Sequence, residues 1–275
     1  MEGVARVVLV FLLVVSVVAA ESPLGLVKIQ PETAAAFDRY VARAETKMKT
    51  WPRPQLRKGE LRVEPGGDPA EVPGGMIQDW TGAMFLPGAT LASVQAVLQD
   101  YGNYMLYYKP EVIDSREISH KGDDYEIFLR LHEKHILTVV LNANYHVEYR
   151  MPDAEHLWVT SHSRRIAEVK DPGKSYTDEF PAGNDSGYLW RLNSYWHFEA
   201  ADGGVYAQCE AISLSRDVPL GLGFLLKGFL QSFPKESMQN TLRGTRDAVE
   251  KRRAGRPASS GRRVYTVPHR RRTES

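Results

Sequence analysis

VPLGLGFLLKGFLQSFPKESMQNTLRGTRDAVE, Val218–Glu250, starts as an almost unbroken apolar run and ends as an amphipathic helix. Lys227 is the one charge between Leu220 and Phe233. Ser232 and Pro234 suit an N-cap and an early-turn proline, so a helix is expected to begin there. Met238, Leu242, Thr245 and Val249 fall on one helical face, with Arg243, Arg246, Asp247 and Glu250 off it. Such a helix is stable only when its apolar face lies on other apolar surface. The residues before it read as successive strands. The expected arrangement is a curved antiparallel sheet wrapped around this last helix.

Working back from it, Tyr188–Phe198 and Val205–Leu214 flank Ala201-Asp202-Gly203-Gly204, where Asp-Gly is a two-residue hairpin signal. With the turn at Asp202-Gly203, Trp196 lies opposite Cys209, Ser194 opposite Ala211 and Phe198 opposite Ala207. That face sets large side chains against small ones, as a packed or cavity-lining surface does. The other face carries Arg191, Asn193, Tyr195, His197, Gln208 and Glu210, read first as a solvated face. Earlier strands are expected at Val112–Ser119, Tyr125–His132, Ile136–Arg150 and His156–Ile166, with a polar loop over 169–187. In Tyr125–His132, Tyr125, Ile127, Leu129 and Leu131 share one face. Glu133-Lys134 reads as a turn.

Met76–Leu86 reads as the first strand, stopped by Pro87-Gly88. A helix with Leu91, Val94, Val97, Leu98 and Tyr101 on one side follows, then a short second helix or turn ended by Pro110. Upstream, Pro31 starts a helix whose stripe is Phe37, Val41, Ala44 and Met48, narrow enough to dock on the main domain. Trp51–Pro73 is rich in Pro, Gly and charge and reads as a linker or surface loop. The expected fold class is α+β: about seven antiparallel strands, two short helices after the first strand, and a long C-terminal helix.

At 275 residues, 43% hydrophobic and 25% charged, the composition is that of an ordinary globular protein with one sizeable core. Residues 251–275 hold nine Lys or Arg and one acid, Glu274; the other 26 bases and 33 acids give residues 1–250 a net charge of −7. The main body has no electrostatic footprint for nucleic acid. Cys209, the one cysteine, excludes an internal disulfide and a thiolate metal cluster. Arg6, the apolar run Val7–Val18 and the small residues before Glu21 form a signal-peptide pattern, with an apolar run shorter than the ~20 residues of a comfortable span. Export to a periplasm or secretion is expected. The expected division is a signal peptide at 1–20, an N-terminal helix and linker at 21–73, a main domain at 74–250, and a disordered basic tail at 251–275.

Several phrases carry a resemblance: VPGGMIQDWTGAMFLPGATL (Val72–Leu91), YYKPEVIDS (Tyr107–Ser115), RIAEV (Arg165–Val169), GYLWRLNSYWHFE (Gly187–Glu199) and CEAISLSRDVPLGLG (Cys209–Gly223). Over roughly residues 70–250 the chain resembles the START-like superfamily (SRPBCC; Bet v 1-like, polyketide cyclase/lipid-transport), and within it a bacterial group of exported members. The resemblance implies the helix-grip fold, with a deep apolar cavity between sheet and last helix that binds lipids or other hydrophobic molecules. In some branches the cavity hosts cyclase or aromatase chemistry.

Motifs for chemistry are sparse. His132 and His135, three apart in a strand, point to opposite faces and make no metal site. There is no G-x-S-x-G elbow, and the glycine-rich pieces lack the Lys and frame of a phosphate loop. Cys209 reads as a small buried residue. No cofactor, metal or catalytic residue is assigned. The expected ligand is a hydrophobic small molecule or lipid, lined by Leu141, Tyr145, Ser194, Trp196, Cys209, Met238 and Leu242, with Tyr145 and Ser194 as polar contacts. The apolar Phe224, Leu225 and Leu230 are candidates for transient membrane-surface contact. Two alternatives stand beside this reading. One is a cyclase- or hydrolase-like enzyme using Arg191, Tyr195, Glu210 and His197; the other is a filled-core interaction domain.

Overall fold

The computed structural model describes residues 25–57, 59–67, 69–134, 138–217 and 223–255, and in the last helix the side chains from Pro234 onward. The leader at 1–20, the tail beyond Gly255 and the side chains of Phe224, Leu225 and Leu230 lie outside what it describes.

A six-stranded antiparallel meander forms the frame: β5 (Val112–Lys121), β6 (Asp124–Lys134), β7 (Thr138–Arg150), β8 (His156–Glu168), β10 (Arg191–Ala201) and β11 (Gly204–Arg216). β4 (Gly75–Pro87) adds to the far side of β11, in register from Gly204↔Pro87 to Arg216↔Gly75. The β10–β11 hairpin turns at Asp202-Gly203, both in the left-handed region (φ 51° and 73°), as a type I′ turn requires. Its pairs are Trp196↔Cys209, Ser194↔Ala211 and Phe198↔Ala207, so the expected register and faces are those found.

The connection from β4 to β5 crosses between opposite edges of the meander. It contains α2 (Leu91–Leu98), a short 3₁₀ turn (Tyr101–Asn103) and α3 (Tyr104–Tyr107). Thr90 caps α2 through a reciprocal pair with Ser93. The last helix, α4 (Gly223–Arg253), lies against β4, α2 and α3. It is continuous through Pro234, whereas a helix starting at Ser232 was expected. The proline removes one intrahelical hydrogen bond, and the helix continues on both sides of it. Two glycines permit close approach. A Cβ on Gly82 would sit 2.6 Å from Leu242 Cδ1, and one on Gly244 would sit 2.4 Å from the Tyr107 carbonyl oxygen.

Trp51–Pro73 departs from the linker reading. β2 (Leu61–Pro65) and β3 (Ala70–Val72) both pair with β4, bringing the main sheet to nine strands, against about seven expected. The edge of β4 offers unpaired N–H and C=O groups, and Leu61 and Val63 pack on the core as they fill it. A two-residue pair ties β1 (Val27–Lys28) to β9 (Asn184–Asp185), within the polar loop.

The sheet has two covered faces. The inner face meets α2 and α4. On the outer face α1 (Pro31–Met48) buries Phe37, Val41, Ala44 and Met48 against Ile77, Trp190, Tyr195, Ile212 and Leu214. Each of these large side chains contributes roughly 1.5–3 kcal/mol when fully buried.

Candidate functional site

On β11 the inner-facing residues are Cys209, Ala211, Ser213 and Ser215, all small. Beside them β10 presents Leu192, Ser194 and Trp196, and β8 presents Val159 and Ser161. β7 supplies Leu141, Tyr145, Val147 and Tyr149, and β6 supplies Ile127, Leu129 and Leu131. Opposite them α4 offers Pro234, Ser237, Met238 and Thr241. Small side chains on one strand leave a gap that the helix spans without filling. The result is a cavity of about 250 Å³ with a mainly apolar wall.

Its two ends differ. One is closed by tyrosines. Tyr101 and Tyr149 share a hydrogen bond of 2.7 Å, and Tyr149 also donates to the Leu98 carbonyl at 2.9 Å. Tyr104 donates to the same carbonyl, and Tyr108 pairs with Thr245 Oγ1 at 3.1 Å. The other end holds Glu111, Glu133, Gln78 and Tyr188. Ser237 Oγ donates to Glu111 Oε2 at 3.0 Å. Burial, with Glu111 and Glu236 nearby, pushes the Glu133 carboxyl up to about 8. Burial also raises the Cys209 thiol, so it stays protonated and is no ready nucleophile.

Six of the seven residues expected to line a ligand site are on this wall: Leu141, Tyr145, Ser194, Trp196, Cys209 and Met238. Leu242 is fully buried in the packed core over Gly82, outside the cavity wall. The sequence reading missed Ser213 and Ser215, which follow from extending the Cys209–Ala211 alternation. It also missed Glu133, which continues the inward phase of Ile127, Leu129 and Leu131. Reading Glu133-Lys134 as a turn hid it; β6 runs through both.

The polar face of the hairpin is neither solvated nor part of the cavity. Tyr195, His197 and Glu210 are 2%, 5% and 7% exposed, on the outer face that α1 and the segment after it cover. Tyr195 donates to Glu45 Oε1 at 2.9 Å, and His162 Nε2 lies 3.0 Å from the same oxygen. Tyr40 of α1 donates to Asp79 Oδ2 at 2.9 Å, and Asp79 and Glu210 are hydrogen-bonded to each other. Burial and the Asp79 charge push Glu210 up to about 8, and burial raises Asp79 as well, so the two carboxyls hold a proton between them at neutral pH. His197 stacks on Trp158 with centroids 4.0 Å apart, and burial lowers its pKa. Arg191 donates to the Trp190 carbonyl at 3.1 Å. The acid–base grouping of Arg191, Tyr195, Glu210 and His197 therefore lies across the sheet from the cavity and cannot surround a substrate there.

No family model matches the chain, and no curated protein matches it. Similar solved structures include a STAR-related lipid transfer protein from Xanthomonas axonopodis, at 15% identity over 73% of this chain and 98% of that one, TM-score 0.45. Human STARD10 aligns at 12% identity over 84% of this chain and 85% of its own, TM-score 0.45. The Zhui aromatase/cyclase from Streptomyces sp. R1128 aligns at 9% identity over 66% and 99%, TM-score 0.45. Likeness at this level concerns the fold alone, an antiparallel sheet gripping a C-terminal helix.

Proposed function

We propose that this protein binds a hydrophobic small molecule or lipid between the inner sheet face and α4. The observation that carries this is the cavity itself: about 250 Å³ with a mainly apolar wall, enclosed between the inner sheet face and α4. Native cores are filled to crystal-like density, so a hollow of this size on one side of one sheet is the feature to explain. Leu141, Trp196 and Met238 supply apolar contact, at roughly 25 cal/mol per Å² buried. Tyr145 and Ser194 supply orientation. The role is binding; the cavity wall offers no activated nucleophile among the described residues.

The test is native mass spectrometry of the protein purified from its own source, followed by organic extraction. A retained hydrophobe supports the reading and gives its class. An empty protein that also takes up nothing from a panel of hydrophobic probes overturns it.

Export is part of the same proposal, supported by the leader pattern at residues 1–20. N-terminal sequencing of protein from the exported fraction, beginning near Glu21, checks it. Exchange with a membrane would use Phe224, Leu225 and Leu230, and vesicle flotation of a triple Ser variant tests that.

A further inference from the structure

Tyrosine hydroxyls crowd the cavity wall, and their partners sort them. Those of Tyr101, Tyr104, Tyr108 and Tyr149 are all hydrogen-bonded within the protein. Tyr145 is different. It is 4% exposed, it faces the cavity from the middle of β7, and its hydroxyl has no hydrogen-bond partner among the described residues. An unsatisfied buried hydroxyl costs roughly 1–3 kcal/mol, so the contrast with those four points to a missing partner for Tyr145. Two other hydroxyls sit on the same patch of floor. Ser161 pairs with Val147, the next inward residue on β7, and with Ser194 on β10.

We propose that the cavity takes a compact, neutral hydrophobe bearing a carbonyl-class oxygen, and that Tyr145 donates its hydroxyl hydrogen bond to that oxygen. This rests on the ligand-binding reading above and narrows it to a chemical class. Three observations select the class. Burial raises the Tyr145 phenol, so it remains an O–H donor at neutral pH. A carbonyl oxygen has two lone pairs and can accept from a serine hydroxyl as well. The described wall contains no Lys, Arg or His, so an anionic head would be buried beside Tyr145 without a countercharge. Size sets the limit. About 250 Å³ is below the roughly 300–1,000 Å³ of pockets for drug-sized ligands, which suits a short or fused-ring molecule and excludes complete enclosure of a two-chain lipid.

Three probes of one carbon frame test it on the full chain: acetylnaphthalene, isopropylnaphthalene and naphthoate. The wild type is expected to bind the ketone about tenfold tighter than the hydrocarbon, with naphthoate weakest. Tyr145→Phe keeps the ring and removes the hydroxyl. It should bind ketone and hydrocarbon alike, with thermal stability unchanged or raised, because no internal hydrogen bond is lost. The infrared carbonyl stretch of the bound ketone should lie lower in the wild type than in the variant. Should the variant fail to fold, the wild-type ketone-to-hydrocarbon ratio and carbonyl frequency still decide. Equal affinity of ketone and hydrocarbon for the wild type, or a preference that survives in Tyr145→Phe, overturns the inference while leaving hydrophobe binding intact. No binding of any probe overturns both.

Discussion

The two faces of the β10–β11 hairpin share a backbone, a turn and a register, yet toward Ile212 and Leu214 the outer face is packed against α1 while the inner face is hollow. On the outer face, Ile212 and Leu214 meet Phe37 and Trp190, and Tyr40 and Tyr195 donate hydrogen bonds to Asp79 and Glu45. On the inner face, the residues alternating with these are Cys209, Ala211, Ser213 and Ser215, and the helix above them spans a gap. The difference is one of side-chain volume rather than polarity. A sheet face becomes a container when one strand presents small residues at every second position and the covering element is held off elsewhere. The packing over Ile212 and Leu214 contributes stability alone, whereas the hollow beside Ala211 contributes ligand capacity, so substitutions should separate the two.

Phe37→Ala should have the largest effect. It leaves a hole in the outer core and should cost about 3–4 kcal/mol in urea unfolding. A loss below about 1 kcal/mol would show that α1 is not integral to the domain. Next is Ala211→Phe, which fills the hollow: hydrophobe binding should fall about 100-fold, with the melting temperature unchanged or higher. A marked loss of stability would mean that the gap is not open. Third is the shared proton of the outer face. Glu210 has its folded pKa raised from the ordinary 4.5 to about 8, so its contribution is complete below pH 4.5 and is lost as pH rises through 8. Lys47, Tyr40, Tyr195 and, from the inner side, Cys209 interact electrostatically with the Asp79–Glu210 pair. Glu210→Gln should flatten this decline and exceed the wild type by about 2 kcal/mol near pH 9. Glu133, also raised to about 8, gives a slope of the same sign from the inner side, so the remainder should disappear in the double Gln variant. A stability profile unchanged by Glu210→Gln would break the shared-proton account. The smallest contrast lies between neighbours: Trp196→Ala should weaken hydrophobe binding about fivefold to tenfold, and His197→Ala less than twofold. Equal effects would erase the distinction between faces.

The period-two alternation made much of this legible in the sequence. Once Asp202-Gly203 was taken as the turn, Trp196 and Cys209 fell on one face and His197 and Gln208 on the other, as found. What alternation cannot say is what covers each face. The polar outer face looked solvated because its cover, α1, comes from more than a hundred residues earlier in the chain; Glu45 and Tyr195 are 150 residues apart in sequence. β2 and β3 were hidden for a related reason. Short edge strands surrounded by Pro and Gly have little signal of their own and form because β4 supplies a partner. Pro234 misled in the opposite direction, since a start signal is indistinguishable locally from a proline inside a long helix.

The pairing of β2 and β3 with β4 has a consequence for how the molecule behaves among its own copies. Fragments cut near Gly74 would lose both strands and α1, baring the backbone edge of β4 together with Ile77, Trp190 and Ile212. An open edge beside an oily surface recruits the same element from another chain, and such fragments should cluster into β-rich aggregates. At the opposite border β5 protects itself by sequence: Arg116, Glu117, His120 and Lys121 are exposed along it, and charged borders resist strand-to-strand stacking. The segment between α1 and Gly74 thus occupies the β4 edge that a strand of another copy would otherwise find open.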